Sequence, residues 1–261
     1  STSQCELQRP DKVNKSRLLW AAALGLLFLT SLLMSAPARL LSHVVPGEQL
    51  LMRGLEGTVW EGSASSVLVR LPQGYLQLGA VQWSLQPLSL LLLAPHLTVS
   101  SNWGDQKFSG ELVLHGQSDL EVFNAEGQLA AGLLSRFAPV SVVGMFNLQL
   151  DRLQLRQGLP YSALGRLVWQ DGGWQSVRGL VPLGSYALDF EQAPEQALQG
   201  QVITLSGPLQ ASGSLELKDR RYELDIVLGS EDVMDGQLQA MLSLIAVPED
   251  EGYRISMARD F

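Results

Sequence analysis

An all-β domain carried on one apolar N-terminal segment is the fold class this sequence predicts, and three observations lead to it. A stretch of 21 residues without a charge, Leu18 to Ala38, concentrates apolar residues at one end of the 261-residue chain. Beyond it lie 24 of the 25 glycines. Between those glycines run short alternations of apolar and polar residues, the period-two signature of half-buried strands separated by turns.

The N-terminal tail, residues 1–17, holds Arg9, Lys12, Lys15 and Arg17 against Glu6 and Asp11, a net charge of +2 that leaves -10 on the remainder of a chain whose total is -8. Leu18 to Ala38 follows, bounded by Arg17 and Arg39. As a helix it spans roughly 30 Å at about 1.5 Å per residue, the thickness of a bilayer core. Trp20 stands near one end, where an aromatic anchor belongs. The excess of cations before the segment predicts a cytoplasmic N-terminus, a transmembrane helix over 18–38 and an exported domain over 39–261. Ala36-Pro37-Ala38 also fits a small-x-small cleavage site, so a removable secretory signal is the competing reading. The length of the run and of the tail before it favour the uncleaved anchor.

In the exported part the clearest strand is Arg221 to Leu228, with Tyr222, Leu224, Ile226 and Leu228 on one face and Glu223 and Asp225 on the other. Ala211 to Lys218 alternates in the same way, and Asp219-Arg220 suits a hairpin turn between the two. Further strands are expected at 67–71, 79–85, 110–114, 165–169 and 201–205. In Phe146 to Leu155 the alternation slips between Leu150 and Leu153, which predicts a bulge. Helical signals are few: Gln128 to Phe137 suits a short amphipathic turn or two. The run Leu88 to Leu93 after Pro87 is too short to span a membrane and reads as a buried turn or a strand edge. No low-complexity linker interrupts the region, which reads as one continuous domain. Trp60, Trp83 and Trp169 each end a short strand near a glycine, a weak repetition that suggests two related halves. Aromatic caps over a sheet core explain these tryptophans better than a binding site does.

Composition excludes several functions. The single cysteine, Cys5, falls in the tail, so the exported domain has no disulfide and no thiolate metal site. The acidic balance argues against nucleic acid and against flat docking on anionic lipid. His43, His96 and His115 are isolated and lack metal-ligand spacing. Gly62-Ser63-Ala64-Ser65-Ser66 lacks the second glycine of a nucleophile elbow, and no phosphate-binding loop appears. Glu231-Asp232 with Asp235, and Glu249-Asp250-Glu251, read as solvated turns with too few ligands for calcium. No catalytic, cofactor-binding or metal-binding residue is expected.

One motif carries more. Gly54-Leu55-Glu56-Gly57-Thr58-Val59-Trp60-Glu61-Gly62-Ser63-Ala64, followed by Val81-Gln82-Trp83-Ser84-Leu85-Gln86-Pro87 and an apolar run, resembles the type II secretion system protein N family, also called general secretion pathway protein N. The similarity extends over nearly the whole chain, with Gly57, Thr58, Trp60, Gly62, Trp83 and Pro87 as the motif positions, structural or interacting. Glu61 is a local departure, standing where a small polar residue is more usual. The resemblance implies an inner-membrane accessory component of the machine that exports folded proteins across the outer membrane, working through other type II secretion system subunits. The family in turn looks like a distant relative of AsmA-type proteins, which implies an elongated, twisted antiparallel sheet. It also implies an alternative function, a periplasmic groove that binds or conducts lipid.

Overall fold

The computed structural model describes residues 12–41, 50–71, 74–91, 94–115, 119–136, 141–157, 159–176, 179–218, 221–230, 236–249 and 252–260. Helix α1, Lys12–Met34, comes first and is followed by a 3-10 turn, Ala38–Leu40. The strands are β1 (Leu50–Gly57), β2 (Glu61–Leu71), β3 (Gly74–Leu85), β4 (His96–Trp103), β5 (Gln106–His115), β6 (Asp119–Ala130), β7 (Val142–Arg156), β8 (Leu159–Ser176), β9 (Gly179–Gln192), β10 (Leu198–Ser206), β11 (Leu209–Lys218), β12 (Arg221–Ser230), β13 (Val247–Glu249) and β14 (Gly252–Asp260). Two further helices, α2 (Pro87–Leu91) and α3 (Gly236–Ile245), connect β3 to β4 and β12 to β13.

All fourteen strands belong to one antiparallel sheet, in which each of the first twelve pairs with its sequence neighbour and β14 returns beside β12 with β13 outside it. Every strand expected from the alternation lies inside one of these. The bulge falls where the phase slips, between Leu150 and Arg152. The longest strand, β8, has 18 residues, about 60 Å of extended chain.

Register turns the alternation into two rows that cross the whole sheet. Ser63, Gln82, Ser100, Ser109, Glu126 and Gln149 stand directly opposite one another from β2 to β7. The row continues through Arg166, Asp189, Gln201, Ser214, Asp225 and Ser256. One residue along each strand, on the other face, runs Ala64, Val81, Ser101, Phe108, Gly127, Leu148, Leu167, Leu188, Val202, Gly213, Ile226 and Ile255. Along these two rows, from β2 to β14, the sheet is two-faced, polar on one side and apolar on the other, although Leu164, Ile203 and Val227 stand exposed beside the polar row.

A two-layer domain would bury that apolar face under a second sheet or a row of helices. Here the described residues form a single layer. Most side chains of the apolar row are half-buried. The accessible surface is 18274 Å², against about 11,000 Å² expected of a compact globule of this mass. Beyond isolated buried residues such as Ala131, Ala163 and Ala187, buried side chains gather in two clusters among the described residues. Near the N-terminal edge Ala64, Val67 and Val81 pack with Met52, Leu55 and Trp83. Near the C-terminal edge Leu183, Tyr186, Leu209, Ala211 and Leu228 pack with Leu242 of α3.

Several expectations are corrected. The apolar segment predicted as a helix over 18–38 is helical over Lys12–Met34 instead: Pro37 cannot donate into a helix, while the charged tail extends one without hindrance. Among the described residues no helix is long and apolar enough to cross a membrane; the side chains of α1 are described from Leu19 onward. Gln128 to Phe137 is not an amphipathic helix: Gln128 to Ala130 complete β6, paired with Asn147 to Met145, and Ala131–Arg136 is a 3-10 segment. Strand pairing won over a weak helical pattern containing Gly132. Of the run Leu88 to Leu93 after Pro87, the part up to Leu91 is neither a buried turn nor a strand edge but belongs to α2, with Leu88 exposed, and residues 92–93 lie outside the described residues. Helix α3 was not expected. Residues Asp219, Arg220 and 231–235, together with His43, lie outside the described residues.

Candidate functional site

The tryptophan motif forms the joint between α1 and the sheet. Gly57 ends β1 with φ of +83°, a conformation that disfavours any side chain, and a Cβ there would lie 2.6 Å from the Glu61 carbonyl oxygen. The three-residue loop Thr58-Val59-Trp60 then closes on itself. The Thr58 N–H donates to the Glu61 carbonyl at 2.8 Å, and the Glu61 N–H donates to the Thr58 hydroxyl at 3.0 Å.

The outer side of this loop addresses the end of α1, where the last carbonyls of any helix lack intrahelical partners. The Trp60 indole Nε1–H donates to the Leu33 carbonyl at 2.8 Å, and the Val59 N–H donates to the Ala36 carbonyl at 2.9 Å. Pro37 and Thr58 form an antiparallel bridge. The motif thus acts as the C-cap of α1, which has no basic residue in its last turn to serve that end. Ala38, in the turn just after, is buried.

The inner side of the loop is held by β3. The Trp83 indole donates to the Val59 carbonyl at 3.2 Å, and the Leu85 N–H donates to the Trp60 carbonyl at 2.6 Å. Gly62 pairs with Trp83 in register. A Cβ on Gly62 would come within 2.5 Å of the Trp83 ring and 2.8 Å of the Glu56 and Thr58 carbonyl oxygens, so only glycine lets these three strands meet. Pro87 opens α2 two residues beyond Leu85, in a turn closed by the Gln86 N–H on the His96 carbonyl at 3.0 Å. The structure therefore brings Gly57, Thr58, Trp60, Gly62 and Trp83 into one joint, with Pro87 at its margin. Sequence reasoning missed the acceptors Leu33 and Ala36, because a backbone carbonyl leaves no mark on residue type. The departure at Glu61 also gains a reason: its backbone makes the turn, while its side chain is exposed.

The third tryptophan repeats the pattern elsewhere. The Trp169 indole donates to the Val143 carbonyl at 3.0 Å, and its ring stacks on Phe146 and leans on Tyr186. Trp60 is buried, and Trp83 and Trp169 are half-buried. All three are built into the sheet with their one polar atom satisfied.

Titratable chemistry is sparse. The Arg166 guanidinium holds both carboxylate oxygens of Asp189 on the polar face. This hydrogen-bonded pairing lowers the Asp189 pKa and raises that of Arg166. Burial pushes the Tyr186 phenol up to about 12; its hydroxyl lies 2.9 Å from the carbonyls of both Leu183 and Leu209. His96 meets Glu111 at 3.2 Å, and among the described residues no group of three or more His, Cys, Asp or Glu could hold a metal ion.

The model of the family described as type II secretion system (T2SS), protein N, matches residues 48–256, from just before β1 into β14. The chain belongs to that family. Similar full-length relatives bear the same name, type II secretion system protein N. That of Vibrio cholerae serotype O1 is 27% identical over 89% of this chain and 95% of its own length. That of Aeromonas hydrophila is 28% identical over 91% and 96%, and that of Klebsiella pneumoniae is 28% identical over 77% and 84%. No solved structure matches the chain. Within this family's matched region lie the whole tryptophan loop and both of its strands, whereas α1, the element it caps, lies outside.

Proposed function

We propose that this protein is an inner-membrane accessory component of the type II secretion system whose β domain, residues 39–261, works in the periplasm as an interaction module. In this reading the 1–17 tail is cytoplasmic and the uncharged segment Leu18 to Ala38 is the single-pass anchor. The sheet then binds other subunits of the machine that exports folded proteins across the outer membrane, with no catalysis or cofactor of its own. The observation that carries the reading is the single-layer sheet: a half-buried apolar row across twelve strands, left without a second layer among the described residues, is a surface suited to a partner. The regular polar row behind it suits a face that stays in water.

The experiment is photo-crosslinking in cells from Leu167, in the middle of the apolar row. Capture of named secretion-system subunits supports the interaction module. Capture of phospholipid alone favours the second reading, an apolar face that binds or conducts lipid, for which the length of the largely apolar row, interrupted by one polar side chain at Ser101, is the supporting observation.

A further inference from the structure

Among the described residues, the segment after Pro87 is an apolar run that neither the core nor the joint absorbs. Helix α2 is tied to its described flanks by the backbone and by Ser89. The Ser89 hydroxyl donates to the Gln86 carbonyl at 2.6 Å and accepts the His96 N–H at 2.8 Å, and the Ala94 N–H donates to the Ser89 carbonyl at 3.2 Å. Leucines of the turn stand outward while Ser89 is bonded inward. Leu88 is 75% exposed and Leu90 is 39% exposed. From Leu85 to Leu97 the chain carries no Asp, Glu, Lys or Arg, in a domain whose net charge is -10.

The place of this turn gives the leucines a use. Leu85, two residues before α2, is bonded to the Trp60 carbonyl, and the Trp60 indole is bonded to Leu33 in the last turn of α1. Leu32, Leu33 and Met34 at that end of α1 are 60%, 60% and 56% exposed, and Leu40 in the turn beyond is 49% exposed. The joint thus ties α2, with its exposed leucines, to the apolar end of the helix through two hydrogen bonds. Sheet twist, about 20–25° per strand, carries the corresponding turns of later strands away from this direction. One of those turns, residues 193–197, carries Glu195.

We propose that Leu88 and Leu90, with Leu40, dip into the interfacial layer of the same bilayer that holds α1, as a second contact that enters one leaflet without crossing. The proposal rests on the anchor reading above. A bilayer fits better than a protein partner because the turn carries no Asp, Glu, Lys or Arg for recognition and the Ser89 hydroxyl, between the two exposed leucines, is already bonded on both sides, which favours entry into an apolar medium. It is also held by the joint to the end of α1, whose last leucines are exposed. The two contacts together fix the orientation of the first strands against the membrane.

The test uses the full chain in vesicles of phosphatidylethanolamine with a minority of phosphatidylglycerol, in a Cys5→Ser background. An environment-sensitive fluorophore is attached in turn at Leu88→Cys, at Leu24→Cys within α1, and at Asp105→Cys on a turn at the opposite ends of the strands. The proposal expects blue-shifted emission at position 88, quenched by lipids carrying a quencher near the headgroups, with no change at position 105. Adding Leu90→Asp should abolish the shift at 88 while leaving that at 24. Quenching at 24 with a fully aqueous signal at 88 overturns the proposal and leaves the anchor standing. An aqueous signal at 24 overturns the anchor reading itself. A signal at 88 that is aqueous in vesicles but shielded in membranes containing the other secretion subunits assigns the leucines to a protein and likewise overturns it.

Discussion

The two ends of the sheet solve one problem by different means. A single-layer sheet must protect its apolar face near each edge, where fewer neighbouring strands share the load. At the C-terminal end the solution is apolar cover: α3 sets Leu242, 2% exposed, into a cluster with Leu183, Leu209 and Leu228. At the N-terminal end only Ala64, Val67 and Val81 form the buried nucleus. There the structure relies on indole hydrogen bonds and glycine close approach, which tie β1, β2 and β3 to each other and to α1. Burial tolerates small shifts in geometry, whereas a joint made of two indoles and the backbone carbonyls of Leu33, Ala36, Val59 and Trp60 sets an angle. The difference teaches that the N-terminal end sets an orientation as well as contributing stability, whereas the C-terminal end contributes stability through burial.

Substitutions can break that contrast, beginning with the largest effect. Trp60→Ala should lower stability by about 3–5 kcal/mol, the usual cost of removing a buried aromatic. Trp60→Phe should recover most of that while still losing the bond to Leu33, a loss of about 1 kcal/mol. If an unfolding curve is unchanged in Trp60→Ala, the joint contributes nothing to stability and the ring is a contact residue. Leu242→Ala should cost about 2–5 kcal/mol and should leave the fluorescence of a label at α1 unaltered, because it acts at the far end.

Gly62→Ala places a methyl against backbone oxygens that cannot move aside, at an expected cost of about 1–3 kcal/mol. This effect should be reduced by shrinking Trp83 only in part, since the carbonyls of Glu56 and Thr58 remain. Alkaline unfolding offers a smaller, sharper probe of the C-terminal cluster. The Tyr186 pKa is raised from 10.0 to about 12 by burial, so its contribution is complete below pH 10 and is lost as the pH climbs from there through about 12. Tyr186→Phe should flatten that part of the pH profile. At the bottom of the scale, Arg166→Gln removes an ion pair exposed on both sides and should leave the melting temperature unchanged.

Much of the sheet is legible in the residues themselves. Tyr222, Leu224, Ile226 and Leu228 alternate so cleanly with charged neighbours that strand, face and hairpin partner follow, and the slip after Leu150 marks a bulge. Period-two alternation is a local property, so local sequence carries it. The helices were harder to read. Gly236–Ile245 begins at a glycine and is preceded by acids that resemble a turn, and its stability comes from Leu242 packing on strands distant in sequence. Gln128 to Phe137 looked helical because pairing of Gln128 with Asn147 on β7 is invisible in that stretch.

The tryptophan motif divides the same way. Its residue types announce a family and a compact turn: glycine where φ is positive, threonine where a hydroxyl accepts an N–H, tryptophan where a strand ends. By itself the sequence determined the alternation, the apolar N-terminal segment, the charge imbalance across it and the family. Only the tertiary structure decided that the alternating strands align into one polar and one apolar row, that the Trp60 indole caps α1 at Leu33, and that Leu88 is left outside. The physical reason is that register and capping are bonds to backbone groups, which every residue carries alike. Their partners are chosen by geometry that exists only once the chain has folded.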